Sequence, residues 1–262
     1  MSETKKIYLA SDFHLGTPNY EASLKREKAV VQWLETVRHD AAEIYLVGDI
    51  FDFWFEYKSV VPKGFIRLLG KLAEITDSGI PVHVFTGNHD MWMFGYLTHE
   101  VGVIMHREPV VINHCGKAYY IGHGDGLGPG DHGYKFIKKV FANPVCQWLF
   151  ARIHPNAGIA VANFWSRRSR QSGQEKDKIF LGKEKEWLYA YCLETLKSSP
   201  GISCFIFGHR HLPLNLEINA QCRYINLGDW ITHFTYARID STGIELLNYE
   251  PIFSAKSTSR LE

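Results

Sequence analysis

The stretch Glu43-Ile44-Tyr45-Leu46-Val47-Gly48-Asp49-Ile50-Phe51-Asp52 decides the fold, because an apolar run ends there abruptly in a glycine and a carboxylate. Ile44 to Val47 reads as a buried strand. A strand that stops at Gly-Asp sets the acid on the loop at its carboxyl end, where open α/β sheets hold their ligands. Other strand ends finish in the same chemistry. Ile7 to Ala10 runs into Ser11-Asp12-Phe13-His14, and Val82 to Phe85 into Thr86-Gly87-Asn88-His89-Asp90. Tyr119 to Ile121 runs into Gly122-His123-Gly124-Asp125, and Phe205 to Phe207 into Gly208-His209-Arg210-His211.

Helical patterns separate the first of these strands. Val30, Trp33, Leu34 and Val37 recur at i, i+3, i+4 and i+7, so Glu21 to Arg38 is an amphipathic helix inside a β-α-β unit. A second helix, roughly Lys63 to Ser78, carries Phe65, Leu68, Leu69, Leu72 and Ile75 on one face and ends at Gly79 before Pro81. Val110 to Ile112 and Lys117 to Ile121 form a hairpin across the turn-like Asn113-His114-Cys115-Gly116.

From Asp125 to about Lys183 the pattern holds no strand, and helices are expected near Tyr134 to Phe141, Val145 to Ile153 and Ala157 to Ser169. Another helix is expected over Lys183 to Leu196. Strands then return at Ser203 to Phe207, Leu214 to Ile218, Arg223 to Asn226, Thr235 to Ile239 and Ile244 to Tyr249. The reading is one α/β domain over 1–253, a helical insertion over 130–182 and a frayed tail over 254–262.

Bulk properties bound the function. A chain of 262 residues, 45% hydrophobic, can bury a sizeable core. A net charge of +1 provides no global field to recruit nucleic acid, and none is expected as a partner. Five scattered cysteines without a C-x-x-C pair argue against a disulfide framework and against a cysteine zinc site, which suits a reducing cytoplasm. Met1 to Lys6 lacks an apolar signal region, and no window reaches the ~18 consecutive apolar residues of a spanning helix. The expectation is a protein that is soluble or lies on a membrane.

Asp12, His14, Asp49, Asn88, His123, His209 and His211 supply three oxygen donors and four imidazoles, a mixture suited to Mn²⁺, Fe or Zn²⁺ rather than Ca²⁺. Seven ligands exceed what one ion needs, whereas two ions sharing a carboxylate, ~3.5–4 Å apart, would use them all. Asp12-x-His14 and His209-x-His211 would place alternate side chains on one side of an extended segment. Any one of these pieces alone is more often a turn or a satisfied core group. Their joint occurrence at strand ends, most with a glycine that lets backbone approach a ligand, is hard to produce by packing needs alone.

In order, Asp12-x-His14, Gly48-Asp49-x-x-Asp52, Gly87-Asn88-His89-Asp90, Gly122-His123-Gly124-Asp125 and Gly208-His209-x-His211 resemble the signature of calcineurin-like metallophosphoesterases over nearly the whole chain. The resemblance implies a four-layer α/β sandwich, two mixed sheets between helices, with a dimetal site at one end. It implies Asp12, His14, Asp49 and His211 on one ion and Asp49, Asn88, His123 and His209 on the other, with Asp49 as bridge and His89 beside the substrate phosphate. Two divalent ions are implied, Mn²⁺ first and Fe or Zn²⁺ as alternatives.

Within that superfamily the chain is most similar to the UDP-2,3-diacylglucosamine diphosphatases of lipid A synthesis. The similarity rests on Gly48-Asp49-Ile50-Phe51-Asp52-Phe53-Trp54, on His123-Gly124-Asp125-x-Leu127 followed by Asp131 and Tyr134, on the position of the insertion, and on Leu227-Gly228-x-Trp230. Asn143-Pro144 and the insertion's arginines are similar to that family's lid. The implied reaction is hydrolysis of the pyrophosphate bond of a UDP-linked glycolipid, on the cytoplasmic face of the inner membrane, by a peripheral enzyme. The implied substrate contacts are Asn88, His89, Asp131, Tyr134, Arg167, Arg168, Arg170, Lys176 and His209. His89 departs from the family's arginine and matches general metallophosphoesterases, so a soluble phosphodiester or nucleotide is the alternative substrate. A non-catalytic scaffold, the third reading, has no need of a full ligand set. Oligomeric state stays open.

The insertion alternates aromatic and aliphatic residues (Phe136, Ile137, Val140, Phe141, Trp148, Leu149, Phe150, Ile153, Phe164, Trp165) with Lys135, Lys138, Lys139, Arg152, Arg167, Arg168 and Arg170. That composition suits a surface that meets anionic lipid head groups. Sealing against the sandwich and a plain solvated basic face are the competing readings.

Overall fold

The computed structural model describes residues 5–130, 132–162, 164–166 and 179–252. Strands β1 (Lys6–Ala10), β2 (Ala41–Val47), β3 (Val82–Phe85), β4 (Ile104–His106), β10 (Thr235–Asp240) and β11 (Gly243–Asn248) form one sheet in the order β11-β10-β1-β2-β3-β4. Strands β5 (Val110–His114), β6 (Lys117–Gly122), β7 (Ile202–Phe207), β8 (Pro213–Asn219) and β9 (Cys222–Leu227) form a second, in the order β5-β6-β7-β9-β8. Both sheets are mixed. β1 to β4 run parallel and β10 joins β1 antiparallel, while β6, β7 and β9 run parallel between the antiparallel edges β5 and β8.

The strand residues explain why these sheets stack. Alternate side chains leave a strand on opposite faces, and here both faces are apolar. Ile7 and Leu9 of β1 pack between the sheets with Val47, Phe85, Ile121, Ile206 and Ile225. Tyr8 and Ala10 face outward, onto Trp33 and Leu34 of the Tyr20–Val37 helix and Leu68 and Leu72 of the Ile66–Asp77 helix. Phe205, Phe207 and Tyr224 cover the far side of the second sheet with Leu188 and Cys192 of the Trp187–Ser198 helix. The order helix, sheet, sheet, helix is the four-layer sandwich expected from the sequence.

Most elements fall within a few residues of their expected bounds, and four departures have identifiable causes. Asn113 and His114 pair in the ladder with Ala118 and Lys117, so the turn shrinks to Cys115 and Gly116, both at positive φ (48° and 76°), as a two-residue hairpin requires. The Tyr96–Val101 helix and β4 go unforeseen, being six and three residues long, too short for any period to register. The helix expected over Lys183 to Leu196 is a 3₁₀ turn, Lys183–Lys185, then a helix from Trp187, because Glu186 between them is extended (φ −87°, ψ 102°). The buried Glu186 carboxylate meets buried Arg210 at 3.2 Å, and that pair fixes the break.

In the insertion, helices occupy His132–Ala142, Pro144–Phe150 and residues 155–162 and 164–166. Asn143 caps the second with its side-chain oxygen on Val145 N at 2.8 Å, and Pro144 fits its first turn. The proposed contacts Asp131, Arg167, Arg168, Arg170 and Lys176 lie outside the described residues, as does the tail over 254–262. All five cysteines are free. Among the described residues no helix is long and apolar enough to cross a membrane.

Candidate metal centre

The carboxyl ends of β1, β2, β3, β6 and β7 converge on one point of the sandwich rim. Hydrogen bonds between the loops draw them together: Asp12 N to Gly48 O at 3.1 Å, His14 N to Asp49 O at 2.9 Å, and Gly208 N to His123 O at 3.0 Å. The buried Arg26 guanidinium donates to His14 O at 2.7 Å and holds that loop from behind. Gly48 and Gly87 permit the approach, since a Cβ on Gly48 would overlap the His123 ring and one on Gly87 would overlap the Asp49 carboxylate.

The chain bends sharply at the ligands themselves. Asp12 (φ 58°), His14 (44°), Asp49 (51°), His209 (64°) and His211 (56°) all have left-handed backbone. Such conformations cost roughly 1–3 kcal/mol each in a non-glycine residue and gather at functional sites. The extended alternation expected for Asp12-x-His14 and His209-x-His211 is therefore corrected: left-handed bends aim these side chains inward.

The candidate ligands fall in two clusters, Asp12, His14, Asp49 and His211 in one, Asp49, His123 and His209 in the other, with donor atoms within 4.8 Å of one another in each, beside a third such group of His14, Asp52 and His89. Asp49 belongs to the first two. Asn88 Oδ1 joins the second cluster at 3.2 Å from His123 Nε2. His14 Nε2 and His211 Nε2 point at each other across 3.0 Å. Asp49 Oδ2 has His14 Nε2 at 3.6 Å and His123 Nε2 at 3.5 Å, and Asp12 Oδ1 has His211 Nε2 at 3.1 Å. Yet Asp12 Oδ1 and Asp49 Oδ2 are buried without a well-formed hydrogen bond. Buried anionic oxygens ringed by imidazole nitrogens form a donor set for divalent cations, and the residues fit two of them.

Charge compensation inside the cluster points the same way. Burial pushes the Asp12 carboxyl up, but His211 and His14 outweigh it and hold it below the usual carboxylate range. Burial likewise opposes ionisation of Asp49, and His123, His89 and His14 reverse it. His123 is drawn toward neutrality by burial, but Asp49 and Asp12 raise it to about 10. His209, buried and repelled by His123, falls to about 4, and burial takes His89 to about 4. The two aspartates thus require positive charge, supplied by imidazolium where no ion supplies it.

Around the ligands lies a set of orienting groups that the sequence reading did not assign. His123 Nδ1 donates to Val47 O at 2.8 Å, which turns Nε2 toward Asp49. Asp52 Oδ1 lies 3.6 Å from His14 Nδ1, and Asp52 Oδ2 accepts from Ser166 Oγ of the insertion at 3.0 Å. Asp229 Oδ2 lies 4.0 Å from His211 Nδ1. Buried Asp90 accepts from Ile50 N at 2.7 Å and Gly87 N at 2.8 Å, tying two ligand loops together, with its pKa raised to about 7 by burial and by Asp49. The motif Gly48-Asp49-x-x-Asp52 contained the signal for Asp52, but its partner Ser166 is 114 residues away.

His89 stands beside the ligands. Its backbone N donates to Asp49 Oδ1 at 2.9 Å, and its Nδ1 lies 3.1 Å from Asp52 O and 3.0 Å from Ser166 Oγ. Tyr134 OH donates to Asp125 Oδ2 at 2.7 Å, and its ring centroid is 6.4 Å from that of His209.

Comparison with known proteins agrees with this geometry. A family model for calcineurin-like phosphoesterases matches residues 5–213. The chain is 37% identical over 256 residues to a Porphyromonas gingivalis protein named UDP-2,3-diacylglucosamine hydrolase, covering 94% of this chain and 98% of that one. It is 27% identical over 258 residues to a protein of the same name from Tolumonas auensis, covering 96% and 99%.

Metal binding should register as stability. Mn²⁺ added to chelator-stripped protein at a hundredfold excess over its Kd contributes about 2.7 kcal/mol and should raise the unfolding temperature. Asp49→Asn keeps the volume but removes the shared charge, and should lose most of that rise together with turnover. Calorimetry and metal analysis decide; a variant that still binds two ions with the full rise places the bridge elsewhere.

Proposed function

The chain belongs to the calcineurin-like phosphoesterase family, and from that premise we propose that it hydrolyses the pyrophosphate bond of UDP-2,3-diacylglucosamine, releasing UMP and 2,3-diacylglucosamine 1-phosphate. The observation that carries the substrate is an apolar cavity of about 700 Å³ beside the centre, running from Asp52 to the insertion. Phe53, Val60, Val61 and Phe65 line it together with Ile159 and Ala160 of the insertion, a mainly apolar lining suited to acyl chains, while Lys63, His154 and Asn156 add polar groups. His89, which general metallophosphoesterases share, favours the second reading, a soluble phosphodiester.

Asp12, His14, Asp49 and His211 would hold one ion and Asp49, Asn88, His123 and His209 the other, with Mn²⁺ taken first and Fe or Zn²⁺ as alternatives. When bound there, two such ions would supply Lewis acidity toward a water and toward the phosphoryl oxygens. The protein's own share begins with orientation. Nδ1 of His89 donates toward Asp52 O and Ser166 Oγ, which leaves Nε2 for the substrate phosphate. The incoming diphosphate raises the pKa of His89, and the Nε2 proton then donates to the phosphoryl oxygen on which charge develops. Asn88 and His209 meet the phosphate from the second cluster. Tyr134, Asp131, Arg167, Arg168, Arg170 and Lys176 of the insertion are taken as further contacts, all but Tyr134 outside the described residues.

The insertion also supports a membrane partner. Phe150 and Phe141 seal it to the sandwich, with the Phe150 ring 4.8 Å from Trp92 and Trp92 Nε1 donating to Phe141 O at 2.8 Å. Phe136, Trp148, Phe164 and Trp165 stay exposed, at 67, 56, 63 and 62%. Arg152 lies 4.7 Å over the Trp148 ring. Exposed aromatics beside cations suit an anionic bilayer surface, which supports the proposed peripheral position on the cytoplasmic face of the inner membrane.

Purified Mn²⁺-loaded protein should release UMP from UDP-2,3-diacylglucosamine, and inert protein on this substrate with activity on an aryl phosphodiester would establish the second reading. His89→Ala should lower kcat ~10²–10⁴-fold with metal content retained. Equal loss of metal and rate would move His89 into the ligand set. Replacing Trp148, Phe164 and Trp165 by serine should abolish flotation with anionic liposomes while the unfolding temperature holds; undiminished flotation removes the insertion from the membrane contact.

A further inference from the structure

A second cavity, about 240 Å³, adjoins the centre and is lined by Gly126, Leu127, Pro129, Trp187 and His209. We infer that it seats the nucleoside half of the substrate, with the Trp187 indole as the surface on which the base stacks. The inference rests on the reading of the substrate as a nucleotide-linked lipid.

Hydrolysis of a pyrophosphate separates two halves about the reacting phosphorus, so each half needs its own place beside the ligands. The large apolar cavity includes Asp52, the carboxylate beside His14 of the first cluster. The small one includes His209, a member of the second. Its volume leaves no room for two acyl chains, and its one aromatic wall offers what a flat base uses.

Trp187 is built in rather than incidental. It opens its helix immediately after the extended Glu186, and that break carries the indole to the cavity. The Arg210 guanidinium, paired with Glu186 at 3.2 Å, lies 5.3 Å from the indole centroid and fixes the ring. The His209 ring meets it edge-on at 84° with centroids 6.5 Å apart. The neighbouring loop packs directly on the start of this helix. A Cβ on Gly128 would come within 2.6 Å of Trp187 O, and φ there is +74°, so only glycine lets the loop pass this close. Lys135 Nζ donates to Gly128 O at 2.5 Å, which ties this loop to the insertion. A ring already immobilised loses little freedom on stacking, so its contribution to binding is retained.

The test measures binding of UMP and of ribose 5-phosphate to Mn²⁺-loaded protein by isothermal titration. Wild type should bind UMP about tenfold more tightly, the gain from one stacked base. Trp187→Phe should keep most of that preference. Trp187→Leu, which keeps apolar volume without a ring, should lose it while unfolding at a temperature near that of wild type. A wild type without preference for UMP overturns the proposal whether or not the variants fold, and so does a preference that survives Trp187→Leu. Hydrolysis of the lipid substrate separates the two readings: a protein that cleaves it yet shows no UMP preference loses only the nucleoside seat, and one that prefers UMP but leaves the lipid intact keeps the seat and loses the lipid assignment.

Discussion

Two carboxylates, Asp12 and Asp49, are buried at the rim of a β-sandwich, each with one oxygen that makes no well-formed hydrogen bond. Ionised groups in that position are untenable without positive charge close by. Four imidazoles provide its neighbours, and the distances of 3.0 to 3.7 Å among their nitrogens and the carboxylate oxygens leave the geometry of a cation site. Much of the surrounding structure serves to hold that arrangement. Inter-loop hydrogen bonds pull the strand ends together, glycines let them touch, and Asp90 ties two of the loops. The left-handed backbone at five of the ligands is strain that the ions would have to offset.

The candidate ligands could be picked from the sequence because each follows an apolar strand directly, so secondary structure and chemistry fall on neighbouring residues. Asp49 after Ile44 to Val47 is the plainest case. The α/β alternation was legible in the periodic patterns, whereas the two-sheet sandwich followed from the resemblance that the strand-end motifs carry. What could not be read was anything depending on a distant partner. Glu186 breaks a helix because Arg210 waits 24 residues on, and Asp52 meets Ser166 across 114. Nor does aspartate or histidine advertise a left-handed conformation as glycine does, which is why an extended Asp12-x-His14 was the natural but mistaken expectation. The Tyr96–Val101 helix and β4 were simply too short to leave a periodic trace.

Asymmetry about the centre connects the fold to substrate choice. On one side the insertion faces the Phe53–Phe65 segment across a wide apolar space, and on the other the Gly126–Pro129 loop faces Trp187 across a narrow one. Elsewhere on the insertion, Phe136, Trp148, Phe164 and Trp165 expose aromatic side chains. On the proposed reading, a lipid-linked nucleotide would span this layout, with its apolar half toward the insertion and its flat half toward Trp187.

The central claim is that these side chains hold two ions bridged by Asp49. Anomalous diffraction at the manganese edge from crystals grown with Mn²⁺ tests it most directly. The account predicts two peaks ~3.5–4 Å apart, both in contact with Asp49, one also with Asp12, His14 and His211 and the other with Asn88, His123 and His209. A single peak, or two that do not share Asp49, would contradict it.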